Sequence, residues 1–216
     1  YLLANTSANT TADITKRDLT VSASADNKAY DGNTSATAHL TTDSVAGDAV
    51  TASDSATFSD KNVGTGKTVT VSGITISGTD AANYNQVNTT TTTTANITKR
   101  DLTVSATGVN RTYDGSTTAS VNLADDRVSG DSVTDSYTSA SFGDKNVGSA
   151  KSVSVSGISI SGTDAGNYTF NATANTTADI TARPLTVSAT GIDKIYDGNS
   201  TATVTLSDNR VSGDII

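Results

Sequence analysis

Cysteine, methionine, tryptophan and glutamate are missing altogether from this 216-residue chain, and proline occurs once, at Pro184. Without cysteine there is no disulfide framework and no thiolate metal site to support a fold. Because glutamate is absent, all 22 acidic side chains are aspartates, which compete for backbone hydrogen bonds and favour turns over helix interiors. With one proline, chain reversals fall to asparagine, aspartate and the 17 glycines. Hydrophobic residues make up 34% of the chain and aromatics 5%, so large core side chains are scarce. No apolar run approaches the roughly 20 residues of a membrane-spanning helix. The net charge of −8 and the pI near 4.4 argue against nucleic acid as a partner.

Catalytic signatures are lacking too. The only histidine, His39, aligns with Asn122 and Thr205 in the copies described below, so it is no part of the repeating design. There is no nucleophile elbow, P-loop or dinucleotide fingerprint. The expectation is a chain that is not an enzyme.

What the sequence does contain is threonine, valine, serine and isoleucine in alternation. β-Branched side chains suit a pleated surface, and the composition reads as all-β. Leu102, Val104 and Ala106 fall at every second position, as do Val121 and Leu123. The series Val153, Val155, Ile158 and Ile160 is interrupted at Gly157, which predicts a bulge or tight connection. Loops are predicted at Asp114-Gly115, Asp144-Lys145-Asn146 and Gly162-Thr163-Asp164, with six or seven short strands per unit and almost no helix. The expected thin core includes Leu102, Val104, Val109, Tyr113, Val147 and Phe170 among the few large apolar residues of each unit.

Self-similarity is the strongest signal. ITKRDLTVSA begins at Ile14 and again at Ile97, and ITARPLTVSA follows at Ile180, a constant step of 83 residues. FSDKNVG at Phe58 answers FGDKNVG at Phe142, and VSGITISGTDAANY at Val71 answers VSGISISGTDAGNY at Val155. The phase gives complete repeats at 14–96 and 97–179. Residues 1–13 read as the tail of a preceding repeat and 180–216 as the first part of a further one. The chain begins mid-pattern with no signal peptide in view, and so reads as a segment of a longer protein. A division of each repeat near Val128–Asp131 would let its leading half fold without the trailing half.

Three motifs invite chemistry. Tyr30-Asp31-Gly32, Tyr113-Asp114-Gly115 and Tyr196-Asp197-Gly198 repeat with the same step. Aspartate and glycine are turn residues, and tyrosine at a sheet edge packs, so a structural role explains all three; a sugar-stacking Tyr-Asp pair is the functional alternative. Lys61 and Lys145 lie in D-K-N-V-G loops, where an isopeptide crosslink to Asn or Asp would need a buried lysine and a carboxylate moving its proton. In a turn, a lysine is normally solvated. Asp48, Asp60, Asp80, Asp131, Asp144 and Asp164 recur between copies and keep a Ca²⁺ site open, although no dense D-x-D-x-D-G cluster is present. No catalytic, cofactor-binding or metal-ligating residue is assigned.

Taken in order, I-T-x-R-x-L-T-V, K/R-x-Y-D-G, D-K-N-V-G, the V-S-G-I-x-I-S-G segment and D-A-G-N-Y resemble the YDG repeats of large bacterial surface adhesins, such as filamentous-haemagglutinin-like exoproteins. The resemblance covers essentially the whole chain. It implies a secreted, cell-surface location and a stalk or spacer role in attachment or biofilm formation, with neighbouring repeats of the same chain as partners. A second reading makes each repeat a weak module for host or matrix glycans, mucin or proteins, acting through avidity. A third is homotypic association through exposed edge strands. For fold the expectation is a tandem array of small β-sandwich, immunoglobulin-like units, with a β-grasp-like sheet as alternative. Short linkers between copies point to a semi-rigid rod.

Overall fold

The computed structural model describes all 216 residues. Half of the chain is strand, the sheets curl into half-barrels, and the only helical features are single 3₁₀ turns, so the all-β tandem architecture is as expected. The chain divides into two compact units, Tyr1–Arg100 and Asp101–Ile216. The division lies slightly beyond the repeat boundary at 96/97, because Ile97 is buried in the last long strand of the first unit.

In the first unit the strands are β1 (Arg17–Leu19), β2 (Val21–Ala25), β3 (Lys28–Ala29), β4 (Ser35–Ala36), β5 (Ala38–Thr42), β6 (Thr51–Phe58), β7 (Gly64–Ser77), β8 (Tyr84–Gln86) and β9 (Thr91–Thr98). A five-stranded sheet runs β3-β9-β7-β6-β4. β2 and β5 form an antiparallel pair, and β1 lies parallel to β8. The pairing of β3 with β9 is also parallel. These two parallel contacts join the first strands of the repeat to its last, so the unit closes only when both ends are present.

Alternation explains the core. Leu19, Val21, Val69 and Val71 are buried while the serines and threonines between them face outward. On β7 the inward set shifts from Val71 to Ile74, across Gly73 at φ 63°. The register with β6 slips at the same place, between Ser53 and Ser55, so Gly73 sits at a bulge that returns Ile74 to the core.

The second unit has β10 (Arg100–Leu102), β11 (Val104–Gly108), β12 (Arg111–Thr112), β13 (Val121–Asp125), β14 (Thr134–Ser136), β15 (Ser139–Phe142), β16 (Gly148–Ser156), β17 (Ser159–Ser161), β18 (Tyr168–Phe170) and β19 (Thr173–Thr181). Its main sheet is β12-β19-β16-β15, with β14–β17, β11–β13 and β10–β18 as paired strands. The one-residue insertion before Phe142 accounts for the difference from the first unit. Two residues, Tyr137 and Thr138, now stand opposite Gly157 and Ile158, and each long strand of the first copy is split in two. Thr138 fills the space beside Gly157, where a Cβ would fall 2.4 Å from its hydroxyl; at Gly73 that space is open.

Three residues of the expected core lie elsewhere. Val109, Val147 and Phe170 are exposed: the first follows the end of β11, the second sits in the D-K-N-V-G loop, and the third ends the short strand β18.

Residues 182–216 form one hairpin, β20 (Val187–Ile192) with β21 (Thr203–Asp208). Its register repeats that of β2–β5, yet Leu185 is 49% and Val187 57% exposed, whereas their counterparts Leu19 and Val21 are buried. This hairpin thus keeps the backbone pairing of β2–β5 while its apolar side chains stay exposed.

Candidate functional site: the Tyr-Asp-Gly turn and the turn that receives it

The Y-D-G turn follows β3, whose parallel pairing with β9 continues in a bond from the Tyr30 amide to the Thr98 carbonyl at 2.9 Å. Asp31 Oδ1 accepts from the Asn33 amide at 3.1 Å, and Gly32 takes φ 81°, a conformation that disfavours any residue with a Cβ. The same pattern occurs at Asp114, which accepts from the Ser116 amide with Gly115 at φ 80°, and at Asp197, which accepts from the Asn199 amide with Gly198 at φ 79°. The aspartate thus shapes the turn, and the glycine completes it.

A cation two residues before each tyrosine ties this turn to the next motif. Lys28 pairs with Asp31 at 2.8 Å, Arg111 with Asp114 at 2.5 Å and Lys194 with Asp197 at 2.9 Å. Lys28 also lies over the Phe58 ring and Arg111 over Phe142, so K/R-x-Y-D-G and F-x-D-K-N-V-G form one cluster. Burial opposes ionisation of Asp31, but the Lys28 ammonium and the Asn33 amide outweigh it and hold the carboxyl below its ordinary range. At Asp114 the Ser116 amide leads in the same direction.

Within D-K-N-V-G, Asp60 accepts from the Asn62 amide and from Lys67, and Asp144 from the Asn146 amide and Lys151, at 2.6–2.8 Å. The loop lysine itself turns the other way. Lys61 lies 5.8 Å from the centroid of Tyr30 and Lys145 5.9 Å from that of Tyr113. Lys145 is 46% exposed and forms an ordinary ion pair with Asp214 at 3.0 Å, not the enclosed lysine that an isopeptide bond requires.

A second cluster lies at the other end of β6. That strand, at about 3.3 Å per residue, separates its first residue Thr51 from Phe58 by roughly 23 Å. Just before it comes the turn Val45-Ala46-Gly47-Asp48, held from above by the trailing half of the repeat. The Tyr84 hydroxyl donates to Asp48 Oδ2 at 2.6 Å and accepts from the Val45 amide at 2.8 Å. Asp80 accepts from the Ala49 amide at 2.8 Å. In the second copy Tyr168 does the same for Val128 and Asp131, and Asp164 for Ser132. The hydrogen bond donated to Asp48, and then burial, hold the proton on Tyr84 and raise its hydroxyl above its ordinary value. Sequence reading missed this clamp; the repeated G-T-D-A-x-N-Y was its signal.

The two kinds of turn meet in the second unit. The Tyr113 hydroxyl donates to Asp214 Oδ1 at 2.8 Å, Lys145 pairs with the same oxygen, and a Cβ on Gly115 would fall 2.7 Å from a Val211 methyl. Val211 and Asp214 belong to the third copy's counterpart of Val45–Asp48. Beside them is a groove of about 460 Å³ lined by Tyr113, Arg183, Pro184 and Leu185 among others. In the complete copies the leucine at this position is buried, whereas Leu185 lines this groove and is 49% exposed. Tyr196 has no such neighbour and is 92% exposed.

The recurring aspartates proposed for Ca²⁺ are spread over separate turns, and no three acidic or histidine groups gather in one place. A cation at Asp60, Asp80, Asp144 or Asp164 would have to displace the amide and lysine donors that hold them.

The YDG domain matches residues 15–94 and again 98–177. The chain belongs to the YDG-domain family. Its two matches coincide with the two complete repeats, and the name-giving tripeptide is the turn described above. Neither the curated proteins nor the solved structures give a match to the chain.

Proposed function

We propose that these YDG repeats are the spacer of a secreted bacterial surface adhesin, similar to filamentous-haemagglutinin-like exoproteins, and that they hold an adhesive region away from the cell during attachment or biofilm formation. One observation carries this reading: in the second unit the signature tyrosine and the loop lysine are both spent on an aspartate of the following copy. A Y-D-G turn used as a sugar platform would need its aromatic face and hydroxyl for ligand. Here the turn's carboxylate, cation and hydroxyl all have protein partners, so the motif joins copies. Neighbouring repeats are the partners in this reading, and adhesion and any enzymatic activity lie outside these repeats.

The test is binding of the purified chain to a panel of glycans, mucins and matrix proteins, with Ca²⁺ and with chelator. The spacer reading expects no saturable binding from the folded chain. Saturable binding that is lost when Tyr113 and Tyr196 are replaced would instead make each repeat an adhesive module working through avidity.

A further inference from the structure

In the first unit the matching turn, Val45–Asp48, is held by Tyr84 and Asp80 of its own repeat. Val45 and Asp48 stand two repeat steps before Val211 and Asp214, in the same V-x-G-D sequence. Val211 is half-buried beside Gly115, while Val45 is 46% exposed. We propose that the Val45–Asp48 turn is a docking surface for a second copy of this repeat, which seats its Y-D-G turn and its D-K-N-V-G lysine there as Tyr113, Gly115 and Lys145 do on Val211 and Asp214.

Three features fit this occupant. Charge is complementary, since a lysine ammonium and a phenol hydroxyl are both donors and the aspartate is an acceptor only. The oxygens do not compete: Tyr84 uses Oδ2 of Asp48, whereas Tyr113 and Lys145 both use Oδ1 of Asp214, so one carboxylate serves its own repeat and an incoming one. The turn is also rigid before docking. Tyr84 holds the Val45 amide and Asp80 the Ala49 amide, so little ordering opposes binding. The donor cluster and the receiving turn lie at opposite ends of β6, and such a two-ended unit adds copies without limit, each end meeting the other kind. The inference rests on the same Tyr113–Asp214 and Lys145–Asp214 contacts as the spacer reading.

The absence of cysteine makes the test simple. Val45→Cys and Val211→Cys are made singly in the full chain and labelled with a maleimide in the native state. Val211→Cys is expected to react at least tenfold more slowly than Val45→Cys, and Tyr113→Ala is expected to remove most of that difference. A longer chain is then built with an additional copy of residues 97–179 placed directly before Ile14. In it, Val45→Cys is expected to slow at least tenfold, and to recover when the added copy's counterpart of Tyr113 is replaced by alanine. Equal labelling of Val45→Cys in the original and the extended chain, both melting cooperatively, overturns the proposal. Equal labelling of Val45→Cys and Val211→Cys in the original chain overturns it as well, without need of the added copy. Glycan binding has no part in either readout, so failure here is distinct from failure of the spacer reading.

Discussion

The pairs β2–β5 and β20–β21 share a register and similar sequences but not surroundings. Val21 pairs with Thr42 and Val187 with Asp208; Val21 is buried and Val187 is 57% exposed. The difference separates what is local in this fold from what is not. Strand pairing and the Y-D-G turn need only nearby residues, and both persist in the third copy. Burial needs β7 to β9 of the same repeat, which lie far along the chain. A two-stranded hairpin alone is marginal in water, so the free energy of a repeat resides in the contact between its halves.

The largest expected effect tests this directly. Leu102→Ala removes a buried side chain from a closed core and is expected to cost about 3 kcal/mol in urea unfolding, whereas Leu185→Ala, at a half-exposed site, is expected to cost under about 0.5 kcal/mol. Similar costs at the two sites would mean that the third copy packs as the complete copies do.

A second contrast concerns protons. Asp125 and Asp135 face each other in the second copy; Arg127 pairs with Asp125 and lies 3.8 Å from Asp135, whose side chain is 7% exposed. One of the two Asp135 oxygens is buried with no donor. Burial first, and then the Asp125 carboxylate, raises Asp135 to about 6, while the Arg127 guanidinium holds Asp125 below its ordinary range. The sign follows from the raised value: below about pH 4 Asp135 is protonated whether folded or unfolded, and above about pH 6 the folded chain carries a buried charge that the unfolded chain solvates. Its contribution to stability therefore falls between those limits. Asp135→Asn, which can donate to Asp125, is expected to leave stability unchanged at pH 4 and to raise it by about 2 kcal/mol at pH 7. In the first copy the corresponding residues are Thr42 and Ala52, and in the third Asp208 is simply held low by Arg210, so no such step is expected from either.

Much of this was legible in the sequence. The repeats, the all-β class and the turn role of Asp-Gly follow from short-range patterns, where periodicity and turn chemistry act. The tyrosine clamp on Val45–Asp48 was not, because Tyr84 lies 36 residues from Asp48 and nothing in a one-dimensional pattern reports a hydroxyl meeting a distant carboxylate. The parallel closures of β1 on β8 and β3 on β9 were hidden for the same reason. Val109, Val147 and Phe170 misled because apolar character was read as core without regard to strand ends.

The glycines of the Y-D-G turns differ in what they face. Gly115 and Gly198 occupy the same turn at φ 80° and φ 79°, so alanine at either meets the same backbone strain, about 1 kcal/mol. Only Gly115 also faces Val211; nothing lies within 4 Å of a Cβ at Gly198. Gly115→Ala is expected to be the costlier by about 1 kcal/mol, and to shift the amide resonances of Val211 and Asp214. Equal costs would mean that the two turns feel the same surroundings.

The smallest effect isolates one bond pair. Tyr168→Phe keeps the buried ring and deletes the hydroxyl that Val128 and Asp131 share, a loss of about 1 kcal/mol. Global unfolding will register it weakly, but amide exchange will not. The Val128 N–H, at present bonded at 2.9 Å, is expected to exchange several-fold faster in the variant. At the matching turn of the third copy the tyrosine hydroxyl present is that of Tyr113, which donates to Asp214 and not to the carbonyl or amide of Val211. Val211 should therefore already exchange at the faster rate and be indifferent to the change. If Val128 in the wild type exchanges as fast as Val211, the clamp is not what orders the receiving turn, and closure of the repeat must act on it through packing alone.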